Sequence, residues 1–145
     1  MIAFAGDRSF PQPVATVAER LADAGWLVGT LPDVQVTDAT PERAAWRMKP
    51  KLGFVSGHLD TVMERTEHRP GEAVSFRVVT KAIGASSTVG IRLAFHAADG
   101  GTRVAWSGEV AEVTGLLRMV PKGLLQATAE KVIGDVWAAV AARLG

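Results

Sequence analysis

The sequence of 145 residues contains no cysteine and no tyrosine. Without cysteine the chain can form no disulfide, no thiolate metal site and no cysteine nucleophile, and this absence is typical of a reducing compartment. An excess of charge is also missing, because 16 Lys and Arg residues stand against 15 Asp and Glu residues. Such a balance gives no electrostatic attraction toward nucleic acid, so we expect no nucleic-acid partner.

Long apolar runs and a secretory leader are absent as well. No run reaches the roughly 18 residues that a membrane span needs, and charged residues interrupt the most apolar region, 116–144. No basic segment followed by an apolar one precedes Asp7 and Arg8. We therefore expect a cytoplasmic protein.

The composition that remains is that of an ordinary folded domain. Apolar residues make up 48% of the chain and charged residues 21%, which is the balance of globular proteins. The length corresponds to one domain, so we predict a single domain over residues 1–145.

The first part of the chain predicts a strand followed by helical structure. Ile2–Phe10 reads as a strand that ends at the proline turn 11–13. Apolar residues at helical spacing then predict a helix from Val14 that stops near Gly25. The apolar stretch 26–31 is a connector or a second short helix.

The middle of the chain alternates between apolar and polar residues and is punctuated by turn sequences, which predicts a β-meander. Small residues at 84–87 leave a bulge or a loop open at that point. Six further strands are predicted: Val34–Thr37, Arg43–Met48, Val55–Glu67, Ala73–Ile83, Thr88–Ala97 and Arg103–Val113.

The alternation predicts one apolar and one polar face of the sheet. A C-terminal helix over Pro121–Arg143 is the segment large enough to cover the apolar face. We interpret its apolar residues from Leu124 to Leu144 as one stripe, with Glu130, Lys131 and Asp135 opposite. The fold class is therefore α+β, with helices on one face of an antiparallel sheet.

Several segments resemble the carbon monoxide dehydrogenase G-subunit (CoxG) family, within the START-like (SRPBCC) superfamily to which the birch pollen allergen and polyketide cyclases also belong. The segments that carry this resemblance are Phe4-Ala5-Gly6-Asp7-Arg8-Ser9-Phe10-Pro11, Gly53-Phe54-Val55-Ser56-Gly57-His58-Leu59, Thr88-Val89-Gly90-Ile91-Arg92-Leu93 and Gly101-Thr102-Arg103-Val104. The resemblance implies a helix-grip fold, in which a curved antiparallel sheet of about seven strands wraps around the long C-terminal helix, with one or two short helices after the first strand.

The resemblance also implies a function. It implies an apolar cavity between sheet and C-terminal helix, and a carrier of a lipid, a quinone or an isoprenoid-like molecule. The partners that it implies are this hydrophobic small molecule, the subunits of an oxidoreductase such as the molybdenum hydroxylase carbon monoxide dehydrogenase, and a transient membrane contact. A polyketide cyclase or aromatase on the same fold is the alternative.

The candidate ligand-binding residues are apolar side chains of the inner face and of the helix, with three threonines as anchors for a carbonyl group. Plain core packing is the competing interpretation of the same residues. The candidates are Leu59, Thr61, Met63, Phe76, Val78, Thr80, Ile91, Leu93, Trp106, Leu124, Leu125, Thr128 and Val132.

The polar residues give no catalytic or metal-binding pattern. His58, His68 and His96 are interpreted as surface residues, and the sequence predicts no metal, no cofactor and no catalytic residue. Enzymatic activity stays open, and a non-enzymatic role is favoured. Arg65 and the basic cluster Arg47, Lys49 and Lys51 are interpreted as solvated charges, with a pocket mouth and an anionic lipid contact as the respective alternatives.

Overall fold

A computed structural model of the chain describes residues 2–49 and 57–144. In chain order the elements are β1 (Ile2–Phe10), α1 (Val14–Leu21), α2 (Ala24–Val28), β2 (Gln35–Ala39), β3 (Arg43–Met48), β4 (Leu59–Arg69), β5 (Ala73–Ala82), β6 (Ala85–Ala98), β7 (Gly101–Gly115), a 3₁₀ turn (Leu116–Met119) and α3 (Lys122–Leu144). The strands form one antiparallel sheet in the order β1-β7-β6-β5-β4-β3-β2. The predicted α+β layout with seven strands is confirmed for the described residues.

Most predicted strands differ from the observed ones only at their ends. The first strand and Arg43–Met48 have the predicted bounds. The first two residues of the predicted strand Val55–Glu67 lie outside the described residues, and β4 begins at Leu59. The segment quoted as Gly53 to Leu59 is likewise described only from Gly57 onward.

The small residues after the β5–β6 turn belong to a strand, which corrects the expected start at Thr88. Ala85, Ser86 and Ser87 pair with β5 on one side and with β7 on the other. Two flanking strands satisfy the backbone groups of this segment, and that pairing outweighs the weak strand preference of small residues. Only Ile83 and Gly84 remain in the turn, where Gly84 adopts a positive φ of 74°.

The helical segment after β1 is divided into two short helices. α1 ends at Leu21, earlier than the predicted stop at Gly25. The cause is Asp23, whose side chain accepts a hydrogen bond of 3.0 Å from the backbone N–H of Trp26 and so begins α2.

The core is packed mainly at one end of the molecule, where β1 ends and α1, α2 and the end of α3 meet the sheet. Ring centroids of Phe10 and Trp137 lie 6.0 Å apart, and those of Trp106 and Trp137 lie 6.2 Å apart. We call this region the packed end. Its most deeply buried side chains are Val17, Leu21, Val28, Val74, Val104 and Val140.

The interpretation of α3 as carrying one apolar stripe is wrong. Its buried side chains are Trp137 and Val140, whereas Leu124 and Val132 are 48% and 54% exposed. Glu130 precedes Trp137 by seven residues, which is about two turns, so both project from the same side of the helix. The apolar residues of the first half of α3 therefore face another direction than those of the second half.

The contact between β1 and the start of β7 predicts a strict need for glycine at position 101. A Cβ at Gly101 would overlap the carbonyl oxygen of Phe10. We expect Gly101→Ala to lower the free energy of unfolding by about 2–3 kcal/mol, because the two strands must move apart. Denaturant unfolding followed by tryptophan fluorescence measures this change.

Gly90→Ala is the matched control, because a Cβ at Gly90 has no described heavy atom within 4 Å. We expect its free energy of unfolding to stay within about 0.5 kcal/mol of the wild type. Equal effects of the two substitutions would show that the approach of β1 to Gly101 does not constrain the fold.

Candidate ligand-binding site

The nine predicted ligand-binding residues of the sheet all lie on one face. Directly paired residues of antiparallel strands point to the same side of a sheet. The register pairs Thr61 with Thr80, Met63 with Val78, and Phe76 with Ile91. We call this side, which also carries the buried side chains of the packed end, the inner face. The nine residues are Leu59, Thr61, Met63, Phe76, Val78, Thr80, Ile91, Leu93 and Trp106.

Burial along the inner face changes from one end to the other. Val74, Phe76 and Leu93 are at most 6% exposed and belong to the packed end or border it. Farther along the same strands the inner-face side chains are only half-buried. We call this second region the open end; its half-buried residues are Val78, Thr80, Ser87, Val89, Ile91, Val110 and Val113.

Two glycines of the inner face differ in what covers them. A Cβ at Gly6 would contact the Trp106 ring at 3.0 Å, so the indole occupies that position. A Cβ at Gly108 would have a single described heavy atom within 4 Å, the carbonyl oxygen of Gly90 at 3.9 Å. Gly108 pairs with Ile91, which places it on the inner face. The inner face therefore has unfilled space beside Ile91.

Two polar groups lie among these apolar side chains. The hydroxyl oxygens of Thr61 and Thr80 are 3.2 Å apart, and Thr61 is only 5% exposed. The indole N–H of Trp106 is buried and has no acceptor within the described part of the chain. Its burial beneath neighbouring atoms leaves the threonine pair as the polar feature of the site that a small molecule can reach.

The four predicted residues of α3 are not brought against the packed side of the helix. Thr128 precedes Trp137 by nine residues, or about two and a half turns, so it projects from the opposite side. Leu125 and Thr128 are half-buried, and Leu124 and Val132 are about half exposed. The sheet residues thus share a surface, whereas the helix residues lie on the other side of α3 from Trp137.

Two surface clefts lie away from all thirteen predicted residues. One of about 450 Å³ is bordered by α1, Arg65 and the β4–β5 turn, and one of about 340 Å³ lies between the end of α2 and the end of α3. Arg65 projects into the first cleft with 16% of its side chain exposed, and its Nη1 donates to the carbonyl oxygen of Ala22 at 2.9 Å. The interpretation of Arg65 as a solvated charge is therefore wrong, because its guanidinium caps the end of α1.

The opposite, outer face of the sheet carries ion pairs between neighbouring strands. Arg47 bonds Asp60 at 2.7 Å, and Arg103 lies 3.1 Å from Asp7. The hydrogen bond from Arg47 lowers the pKa of Asp60 below its ordinary value. Arg47 is thus paired and Lys49 is exposed, while Lys51 of the predicted basic cluster lies outside the described residues. Exposed pairs of this kind add little stability.

The remaining polar side chains form no further cluster within residues 2–49 and 57–144. His58, His68 and His96 are exposed, and no group of three His, Asp or Glu residues is arranged to hold a metal ion. Across the same described ranges, no helix combines the length and the apolar character that a bilayer crossing requires.

Sequence reasoning misses two positions of this site. The predicted strand begins after Ser87, although Ser87 pairs with Thr80 on the inner face. Gly108 is absent from the candidates, although the alternation Trp106-Gly108-Val110 marks it as an inner-face position without a side chain. The signal for Gly108 is present in the sequence, whereas the signal for Ser87 requires the position of the β5–β6 turn.

Comparison with known proteins identifies the type of domain. The sequence profile of the CoxG family, described as a subunit of carbon monoxide dehydrogenase, matches residues 6–145. A search of curated proteins gave no match.

Solved structures share the fold at low sequence identity. A conserved protein from Geobacillus kaustophilus is 15% identical with a TM-score of 0.83, over 98% of this chain and 94% of its own. DynU16, a protein of the dynemicin biosynthetic locus, is 15% identical with a TM-score of 0.65, over 98% and 46%. Ara h 8.0201 is 12% identical with a TM-score of 0.63, over 98% and 96%. These similarities confirm the predicted helix-grip fold.

The threonine pair predicts energetic coupling between two neighbouring strands. We expect Thr61→Val to lower the free energy of unfolding by about 1 kcal/mol, because the Thr80 hydroxyl loses its partner. The double variant Thr61→Val/Thr80→Val should lose less than the sum of the single variants, with a coupling of about 0.5–1 kcal/mol. Denaturant unfolding of all four proteins measures it, and strict additivity would contradict a hydrogen bond between the two side chains.

Proposed function

We propose, for a chain that belongs to the carbon monoxide dehydrogenase G-subunit (CoxG) family, that the protein holds a hydrophobic small molecule against the open end of the inner face. The ligand is a lipid, a quinone or an isoprenoid-like molecule. The observation that carries this proposal is the unfilled space over Gly108, on a face whose side chains are otherwise apolar. Ligand sites for small molecules are concave and mostly apolar, with a few polar groups.

The gradient of burial supports the same location. Val78 and Ile91 are half-buried although they face inward, whereas Phe76 beside them is 2% exposed. Covering such side chains with a ligand contributes roughly 25 cal/mol for each Å² of apolar surface removed from water. A hydrophobic ligand therefore gains most of its binding free energy at the open end.

The helix residues complete this proposal at the rim. Leu124, Leu125, Thr128 and Val132 belong to the half of α3 that lacks fully buried side chains. We assign them contact with the ligand as α3 closes over it, and Thr128 can then offer its hydroxyl group.

A carrier accounts for the inner face better than an enzyme does. The groups in reach of the proposed ligand are hydrocarbon side chains and hydroxyls, and hydroxyls of Thr and Ser do not exchange protons readily near neutral pH. The fold shared with DynU16, a protein named for a biosynthetic locus, favours a polyketide cyclase or aromatase as the second candidate. Conversion of an added polyketide-like substrate by the purified protein would support that alternative.

The family name suggests the setting in which the carrier works. We propose a cytoplasmic accessory to a molybdenum hydroxylase such as carbon monoxide dehydrogenase, with transient contact to a membrane. Exposed Ile83 and Met119 project at the open end, where such contacts would form. Size-exclusion chromatography of the mixed purified proteins should show a complex; elution as two separate proteins at micromolar concentration would argue against the accessory role.

The decisive experiment asks whether the native protein carries a hydrophobic molecule. We expect organic extraction of protein purified without detergent, followed by mass spectrometry, to recover such a compound from the wild type. Gly108→Ala should retain less of it and Gly108→Val least, because each added methyl group fills the space over Gly108. Valine suits a strand, so both variants should fold.

Gly90→Val is the matched control, because Gly90 faces the other side of the same sheet and also has open space around it. We expect it to retain wild-type amounts of the compound. Repeated extraction of wild-type protein without any lipophilic compound, or equal losses in Gly90→Val and Gly108→Val, would count against the proposed site.

A further inference from the structure

A row of three hydroxyl side chains crosses the open end of the inner face. Thr61 pairs with Thr80 across β4 and β5, and Thr80 pairs with Ser87 across β5 and β6. Trp46 continues this row on one side, and Val113 continues it on the other. We call Thr61, Thr80 and Ser87 the hydroxyl row. It is a short polar strip between aromatic and aliphatic side chains.

The hydroxyl row has hydrogen-bonding capacity left for a ligand. Within the pair Thr61–Thr80, one hydroxyl donates to the other, so one hydroxyl hydrogen of the pair remains. Ser87 is half-buried and accessible beside them. Each group is neutral and can donate to an oxygen atom or accept from a hydroxyl group.

Charges near the hydroxyl row point away from it or are already compensated. Lys81 and Asp60 are paired neighbours on the outer face. Arg65 lies four residues from Thr61, about 13 Å along the strand, and its guanidinium bonds the carbonyl oxygen of Ala22 beside Glu42. Arg8 lies toward the packed end and is exposed. An ionised ligand group at the hydroxyl row would therefore lose water without gaining a counter-charge, which is costly.

We infer that the ligand is an uncharged amphipathic molecule whose hydroxyl or carbonyl group binds the hydroxyl row, while its hydrocarbon part extends toward Leu93 and the space over Gly108. This inference rests on the proposed function and specifies the ligand class for it. The inner face between Ser87 and Leu93 spans six residues, or about 20 Å. Fatty acids and alkylamines are excluded as ligands by their charge, although their hydrocarbon chains would fit.

The test compares ligands that differ only in their polar group. The uncharged dye N-phenyl-1-naphthylamine reports occupation of the apolar site by its fluorescence. Decan-1-ol, decan-2-one, decanoate and decylammonium then compete with it at pH 8, below their micellar concentrations. We expect the alcohol and the ketone to displace the dye at concentrations at least tenfold lower than the two ions.

Variants of the hydroxyl row test which residues recognise the polar group. Thr80→Val and Ser87→Ala should each weaken competition by decan-1-ol about fivefold, the size expected for one net hydrogen bond, and leave dye affinity unchanged. The matched controls are Thr88→Val and Ser107→Ala, on the outer face of the sheet. We expect both controls to behave as the wild type in every assay.

The outcomes separate this inference from the proposed function. If the dye fails to bind wild-type protein, or binds Gly108→Val equally well, the proposed function fails. If the dye binds at Gly108 but decanoate competes as well as decan-1-ol, only the inference on ligand charge is overturned. Loss of decanoate binding in Arg65→Met would then assign the polar group to Arg65. Equal effects of Thr80→Val on dye and alcohol would overturn the role of the hydroxyl row.

Discussion

The register of the antiparallel ladder from β3 to β7 determines where every side chain of the sheet lies. Because paired residues share a face, the pairing of Thr80 with Thr61 and Ser87 assembles three hydroxyl groups from three separate strands. The same register places Arg77 and Glu64 together on the outer face, 3.6 Å apart. A shift by one residue would exchange the two faces, burying the ion pairs and exposing the apolar side chains.

Packing at one end of the molecule keeps this register in place. Phe10, Trp137 and Val140 are buried there, and the Thr102 hydroxyl donates to the carbonyl oxygen of Gln12 at 2.8 Å. This hydrogen bond connects β7 to the turn that follows β1. The end of α3 is connected to the same region, because Gln12 Nε2 donates to the carbonyl oxygen of Leu144 at 3.1 Å.

The strand pattern is predictable because alternation and turn residues are local signals. They locate β3 at its observed bounds and assign nine candidate residues to one face without knowledge of the pairing. The placement of Ser87 depends on its neighbours, since pairing on both sides makes a strand of a segment with weak intrinsic preference. The role of Arg65 is likewise not local, because its partner Ala22 is 43 residues away in sequence. The helix shows a different limit, because a count of apolar residues in α3 suggests a single stripe. The angular positions of Glu130 and Thr128 relative to Trp137 instead divide the helix into two halves, of which only the second fills the packed end.

Stability and binding capacity are therefore located in different parts of the same layers. The residues that would weaken a core, such as Gly108, the hydroxyl row and the half-exposed Leu124 of α3, are gathered where little packing depends on them. Because the fold is stabilised at the other end, side chains of the open end can change in size or polarity with little loss of stability. Such a division lets one fold accommodate different small molecules, since variation in the site does not alter the register that forms it.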